Sequence, residues 1–113
     1  MNNTDDIISL LLAIKNRPGV FIGFRSITKM KSFIDGYLFY LKINKIEIHN
    51  DIYNDFNVWL ERKYNVKRVI DWNFYLIEET NHERKAFELF FKELDIYLQE
   101  KNIRIQALHI KNA

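Results

Sequence analysis

Apolar side chains recur at helical spacing over most of the chain. The clearest stripe follows Glu83 and continues to Leu98, with apolar residues every three or four positions, and it predicts a long amphipathic helix. Thr80 and Glu83 have the spacing of a capping box, so we expect the helix to begin there. Its predicted buried face comprises Ala86, Phe87, Phe90, Phe91, Leu94, Tyr97 and Leu98.

A second long stripe follows Ser26, a residue type that caps helix N-termini. Its apolar positions are Ile27, Met30, Ile34, Tyr37, Leu38 and Leu41, with Phe33, Phe39 and Tyr40 beside them. Because so wide a stripe has to be covered from more than one side, we expect this helix to be the central element of the fold. Gly36 within it predicts the close approach of a neighbouring helix or ring.

Three shorter patterns predict further helices. One begins at Asp5 or Asp6 and ends at Asn16, one runs from residue 50 or 51 to about residue 65, and one covers residues 71–77. Together the patterns predict one all-α domain over residues 1–113, with four or five helices and room for minor short strands.

Three segments lack a helical pattern. After a turn at Pro18-Gly19, the apolar residues 20–24 are too few for a helix and are flanked by glycines, so we interpret them as a buried extended connector. Residues 45–49 alternate with period two and fit either a short strand or an extended loop. The tail at 103–110 alternates at first and fits strand, helix or loop.

Composition narrows the class of protein. The chain has 113 residues, of which 48% are apolar and 15% aromatic, enough for one core without disulfides or metals. Cysteine is absent, which excludes a thiolate nucleophile and cysteine-based metal sites. No apolar run approaches the roughly 18 residues of a membrane span, and the first residues are not those of a signal peptide. We therefore expect a cytoplasmic protein that does not associate with membranes.

Basic residues are concentrated near the N-terminus, although the net charge is only +2. Five cations lie between positions 15 and 31 with no acidic residue among them: Lys15, Arg17, Arg25, Lys29 and Lys31. Such a cluster is typical of a solvated face, and it also fits phosphate contacts in a small nucleic-acid-binding or regulatory protein. The basic stripe is short for a protein that depends on phosphate contacts.

The residue types that carry catalysis do not form a recognisable constellation. The three histidines lie in separate segments, and Ala86 stands where a helical zinc signature after His82-Glu83 requires a second histidine. No serine lies in a nucleophile elbow, and the adjacent carboxylates Glu78 and Glu79 point in different directions on a helix. We expect no enzymatic activity, no cofactor and no metal. An unrecognised arrangement of Asp, Glu, Tyr or Arg is the enzyme alternative.

One motif suggests a family. The run Arg17-Pro18-Gly19-Val20-Phe21-Ile22-Gly23 follows a short N-terminal helix and precedes Ser26-Ile27 and a helix with Phe33-Ile34-Asp35-Gly36-Tyr37. This order resembles small bacterial proteins with an R-P-G-[MV]-[FY]-[IL]-G signature, in which aromatic segments like 56–60 and 63–65, a tryptophan like Trp72 and a closing helix like 83–98 follow. Val20 replaces the methionine often seen there.

The resemblance implies an immunity protein, of the kind encoded beside polymorphic or contact-dependent toxins. Such a protein binds and neutralises one cognate toxin domain, and the resemblance supplies no catalytic residues. Because arginine and tyrosine dominate binding hot spots, we predict that Arg25, Lys29, Lys31 and exposed tyrosines contact the partner. Glu79 and Glu83 form the alternative, acidic binding surface.

Overall fold

The computed structural model describes residues 4–47 and 51–102. Within them the chain forms helices and no strand, so the predicted all-α class is confirmed. The helices are α1 (Thr4–Asn16), α2 (Pro18–Phe21), α3 (Ile27–Ile43), α4 (Ile52–Lys63), α5 (Trp72–Thr80) and α6 (Glu83–Glu100). Four or five helices were predicted, and the single turn α2 is a further one that the patterns did not indicate. The possible strand at 103–110 lies outside the described residues.

Helix α6 is the centre of the fold. It packs against α3, α4 and α5, while α1 packs against α4 and α2. The apolar stripe of α6 is buried as predicted, except that Leu98 is only partly covered. Phe90 has no exposed surface and contacts the rings of Phe56, Trp72 and Phe91.

The prediction that α3 is the central helix is wrong. Its narrow stripe of Ile27, Met30, Ile34 and Leu41 is buried, but Phe39 and Tyr40 remain exposed. Gly36 is exposed too, and a Cβ atom built on it would have no neighbour within 4 Å. The predicted close approach at Gly36 is therefore wrong, since α3 packs along one side only.

The segment from Val20 to Phe24 is not a buried extended connector. Pro18 presets a helical φ at the first position of α2, and the amides of Ile22 and Gly23 both donate to the Pro18 carbonyl at 2.8 and 3.0 Å. Gly23 then leaves the turn with φ of +91°. A turn this tight buries Ile22 and leaves Val20 and Phe24 exposed.

The predicted capping box of α6 is also wrong. His82 is the N-cap residue, and its Nδ1 atom accepts hydrogen bonds from the amides of Arg84 and Lys85. The Thr80 hydroxyl donates instead to the Leu76 carbonyl, at 2.9 Å. Asp51 and Ser26 do cap α4 and α3, each accepting from the amide three residues on.

A buried carboxylate joins α6 to the end of α4. Glu93 is only 5% exposed, and its two oxygens accept from the Lys63 ammonium and from the Tyr64 hydroxyl, each at 2.5 Å. Both oxygens of the Glu93 carboxylate therefore accept a hydrogen bond, as a buried charged group requires.

Residues 45–47 take no strand conformation. Lys45 has a φ of 55° and follows the end of α3, and the remainder of the predicted 45–49 segment lies outside the described residues. None of the helices described combines the length and the apolar character that crossing a bilayer requires.

Candidate functional site

Two surface grooves meet at Arg25. The first, which we call the loop groove, has a volume of about 530 Å³ and lies between the loop around α2 and the start of α6. It is lined by Pro18, Gly19, Gly23, Phe24, Arg25, His82, Glu83 and Arg84. Five of these eight residues belong to the Arg17–Gly23 motif or to the two residues that follow it.

Glu83 ties the start of α6 to the start of α3 beside the loop groove. Its Oε1 atom accepts from the Ser26 hydroxyl at 2.9 Å and from the Thr28 amide at 3.0 Å, and its Oε2 atom accepts from the Thr28 hydroxyl at 2.6 Å. A carboxylate at the N-terminus of α3 also interacts favourably with the helix dipole. Glu83 therefore caps α3 while it begins α6.

These hydrogen bonds set the protonation of Glu83. Desolvation raises the pKa of its carboxyl group, but hydrogen bonds from Thr28 and Ser26 outweigh that effect and hold the pKa below the ordinary 4.5. A lowered folded-state pKa means that the ionised carboxylate stabilises the fold above pH 4.5, and that this stabilisation is lost as the pH falls through the folded-state pKa.

We expect Glu83→Gln to lower the free energy of unfolding by about 1 kcal/mol at pH 7, because an amide nitrogen cannot accept from Thr28 or Ser26. The difference from the wild-type protein should shrink as the pH falls through the lowered folded-state pKa of Glu83, because both side chains are uncharged below it. Urea unfolding at several pH values measures it. A difference that does not change with pH would show that the Glu83 charge does not contribute.

Apolar side chains stand out on the rim of the loop groove. Val20 is 68% exposed and Phe24 is 58% exposed, and the Lys29 ammonium lies 5.0 Å from the centre of the Phe24 ring. The turn beneath them is firmly held, because Ile22 is buried and the Phe21 ring packs against Phe33. The loop thus presents exposed apolar groups above side chains that are packed into the fold.

The second groove, which we call the lateral groove, runs along α6 from Arg25. Its volume is about 390 Å³, and its floor is formed by the core residues Phe87 and Phe91. The charged residues on its rim are Lys15, Arg25, Glu88, Lys92 and Asp95. Arg25 lines both grooves, so the two form one continuous surface.

The five residues predicted to bind a partner do not all lie on this surface. Arg25 and Glu83 line the loop groove, and Lys29 lies over the Phe24 ring. Lys31 points away and pairs with Asp35 on α3 and with Asp71 before α5. Glu79 is exposed beside a different cleft, which Tyr64 and Tyr75 also line.

The predicted acidic surface is dispersed. Glu83 is engaged in the α3 cap at the loop groove, whereas Glu79 lies beside the other cleft. Among the tyrosines, Tyr53 and Tyr97 are buried, Tyr37 and Tyr64 are partly buried, and Tyr40 is exposed on α3. Of the two surfaces predicted from charge, the basic one keeps two cations, Arg25 and Lys29, together.

The grooves present charged and apolar groups that can bind a partner. Guanidinium and ammonium groups can pair with carboxylates or phosphates, and Val20 and Phe24 can pack against apolar side chains. Across the described ranges, His, Cys, Asp and Glu form no group of three that could hold a metal ion.

Sequence reasoning missed Val20 and Phe24, which it placed in the interior. It also missed Arg84 and Lys92, because the faces of α6 can be assigned only when its neighbours are known. The glycines at positions 19 and 23 were the available signal: a run of three apolar residues between two glycines is too short to be covered on all sides.

Comparisons with protein-family models, with curated proteins and with solved structures found no match to this chain.

Proposed function

We propose that this chain is an immunity protein that binds and neutralises a cognate bacterial toxin domain, with the loop groove as its binding surface. The observation that carries the proposal is the exposure of Val20, within the motif that resembles the signature of such proteins, and of Phe24, which follows the motif beside Arg25. Exposed large apolar groups next to arginine are typical of the centre of a protein interface.

The support under these residues favours tight binding. Two hydrogen bonds to the Pro18 carbonyl close the α2 turn. On the other side of the loop groove, Glu83 fixes the start of α6 to α3. A surface that is already ordered loses little conformational entropy when a partner docks, so more of the contact energy appears as affinity.

Neutralisation by binding needs no reacting groups on this chain. A one-to-one complex that covers the active site of the toxin, or holds the toxin in an inactive form, stops its activity without turnover. We therefore propose a binding protein with no enzymatic activity and no cofactor.

The test is protection of cells that express the toxin domain encoded beside this gene. We expect Phe24→Ala to weaken the complex about tenfold and to reduce protection, because Phe24 is the large aromatic side chain at the groove. Phe39→Ala is the matched control: Phe39 is 60% exposed and lies twelve residues along α3 from Ile27, about 18 Å from its start.

Calorimetry gives the affinity of each variant, and circular dichroism confirms that each is folded. Equal losses for the two variants, or a loss for Phe39→Ala alone, would move the binding surface away from the loop groove. Absence of protection by the wild-type protein would refute the immunity function. Retention of RNA or DNA through high-salt washing would favour the nucleic-acid alternative instead.

A further inference from the structure

Around the two grooves, three basic side chains lack a partner within the part of the chain that the structure describes, whereas the acidic side chains have one. Among the described residues, the side chains of Lys15, Arg25 and Lys92 make no hydrogen bond or ion pair. The neighbouring carboxylates are all engaged: Glu83 caps α3, Glu88 accepts from Arg84 at 3.1 Å, and Asp95 accepts from Gln99 at 3.0 Å. The surface therefore offers unpaired cations and no unpaired carboxylate.

The unpaired cations surround one depression. Lys15 at the end of α1, Arg25 before α3 and Lys92 on α6 all line the lateral groove, whose floor is apolar. From Arg25 the surface continues to the exposed Phe24 ring. Carboxylates of a partner could accept hydrogen bonds from these three cations, and an apolar side chain of the partner could pack against Phe24 beside them.

The same groups are poorly arranged for a nucleic acid. Glu88 and Asp95 lie among the cations of the lateral groove, and they would repel a continuous run of phosphates. Nucleic-acid surfaces rely on a long stripe of basic residues, and this groove has three. A partner protein with separate carboxylates, spaced by apolar residues, fits this alternation of charge better than a nucleic acid does.

We infer that the surface centred on Arg25 takes an acidic, partly apolar segment of the partner protein, with carboxylates at Lys15, Arg25 and Lys92 and an apolar side chain against Phe24. This inference rests on the proposed function in taking the partner to be a protein. It names the chemistry of the partner: a cluster of aspartate or glutamate on the toxin domain.

The inference can be tested without the toxin. The probe is a blocked peptide in which aspartate alternates with leucine or phenylalanine, titrated into the ¹⁵N-labelled full chain. We expect amide shifts at residues lining the two grooves, and an apparent affinity that falls about fivefold or more in Arg25→Glu. Arg25→Gln should have a smaller effect of the same sign. Lys67→Glu, which reverses an exposed charge elsewhere, should leave the affinity unchanged.

Three results would overturn the inference. The first is equal binding of the same peptide with asparagine in place of aspartate. The second is tighter binding of a thymidine oligonucleotide than of the acidic peptide at these residues. The third is self-association of the protein that Arg25→Glu abolishes, since a second copy would then occupy the surface.

The two proposals fail separately. If the acidic peptide does not shift the groove residues while the protein still protects cells from the toxin, the partner chemistry is wrong and the immunity function stands. If the peptide binds at Arg25 while the protein gives no protection, the surface is an acid-binding site with a different function.

Discussion

Replacing Phe90 with alanine should lower the free energy of unfolding by about 3–5 kcal/mol. Phe90 has no exposed surface, and its ring centre lies 4.6 Å from that of Trp72, 5.1 Å from that of Phe91 and 5.4 Å from that of Phe56. The truncation would remove contacts to α4 and α5 at once and leave a cavity among rings that cannot easily collapse. Urea unfolding followed by tryptophan fluorescence measures the loss.

Phe74→Ala is the control for this substitution. Phe74 lies on α5 and is 55% exposed, so its loss should cost less than about 1 kcal/mol. Leu94→Ala, another fully buried position of α6, should cost about 2–5 kcal/mol. Losses below about 1 kcal/mol for both Phe90→Ala and Leu94→Ala would mean that α6 is not the core of the fold.

Removing the positive partner of Glu93 should also destabilise the fold strongly. We expect Lys63→Met to lower the free energy of unfolding by about 2–3 kcal/mol, because it leaves a carboxylate that is 5% exposed without its cation. The Lys63 side chain is 41% exposed, so water replaces part of what is lost, and the effect is smaller than for a fully buried pair.

A double-mutant cycle separates this effect from lost packing. Lys63→Met with Glu93→Gln removes the buried charge, keeps an acceptor for the Tyr64 hydroxyl, and should recover most of the stability. Arg84→Met, which breaks an exposed pair with Glu88, should cost at most about 0.5 kcal/mol. A double variant as unstable as Lys63→Met alone would show that the loss comes from packing of the lysine stem.

The helices could be predicted where their signals are local. The stripe of α6 and the Ser26 cap of α3 each depend on residues within one or two turns, and the structure confirms both. The start of α4 was predicted at residue 50 or 51, and Asp51 is its N-cap residue. The capping box failed because Glu83 finds better donors on α3 than the amide that the motif assigns to it. That competition involves residues remote in the chain, which a local pattern does not contain.

The candidate site was predictable only in part. Charge along the chain brought attention to Arg25 and Lys29, which do lie at the loop groove. The charge pattern could not distinguish these two residues from Lys31, whose ammonium forms ion pairs with Asp35 and Asp71. Phe24 was placed inside because apolar character indicates burial on average, whereas a single turn of helix has too little neighbouring structure to cover it.

The tie between Glu83 and α3 also constrains how this sequence can diverge. Three side chains take part, and Glu83 is separated by 57 residues from Ser26 and by 55 from Thr28. Loss of either hydroxyl would leave the carboxylate short of a donor, and loss of the carboxylate would leave the Thr28 amide unpaired. Descendants of a common ancestor should therefore replace the three positions together. Such coupled replacement across many related sequences would reveal the contact between α3 and α6 that one sequence conceals.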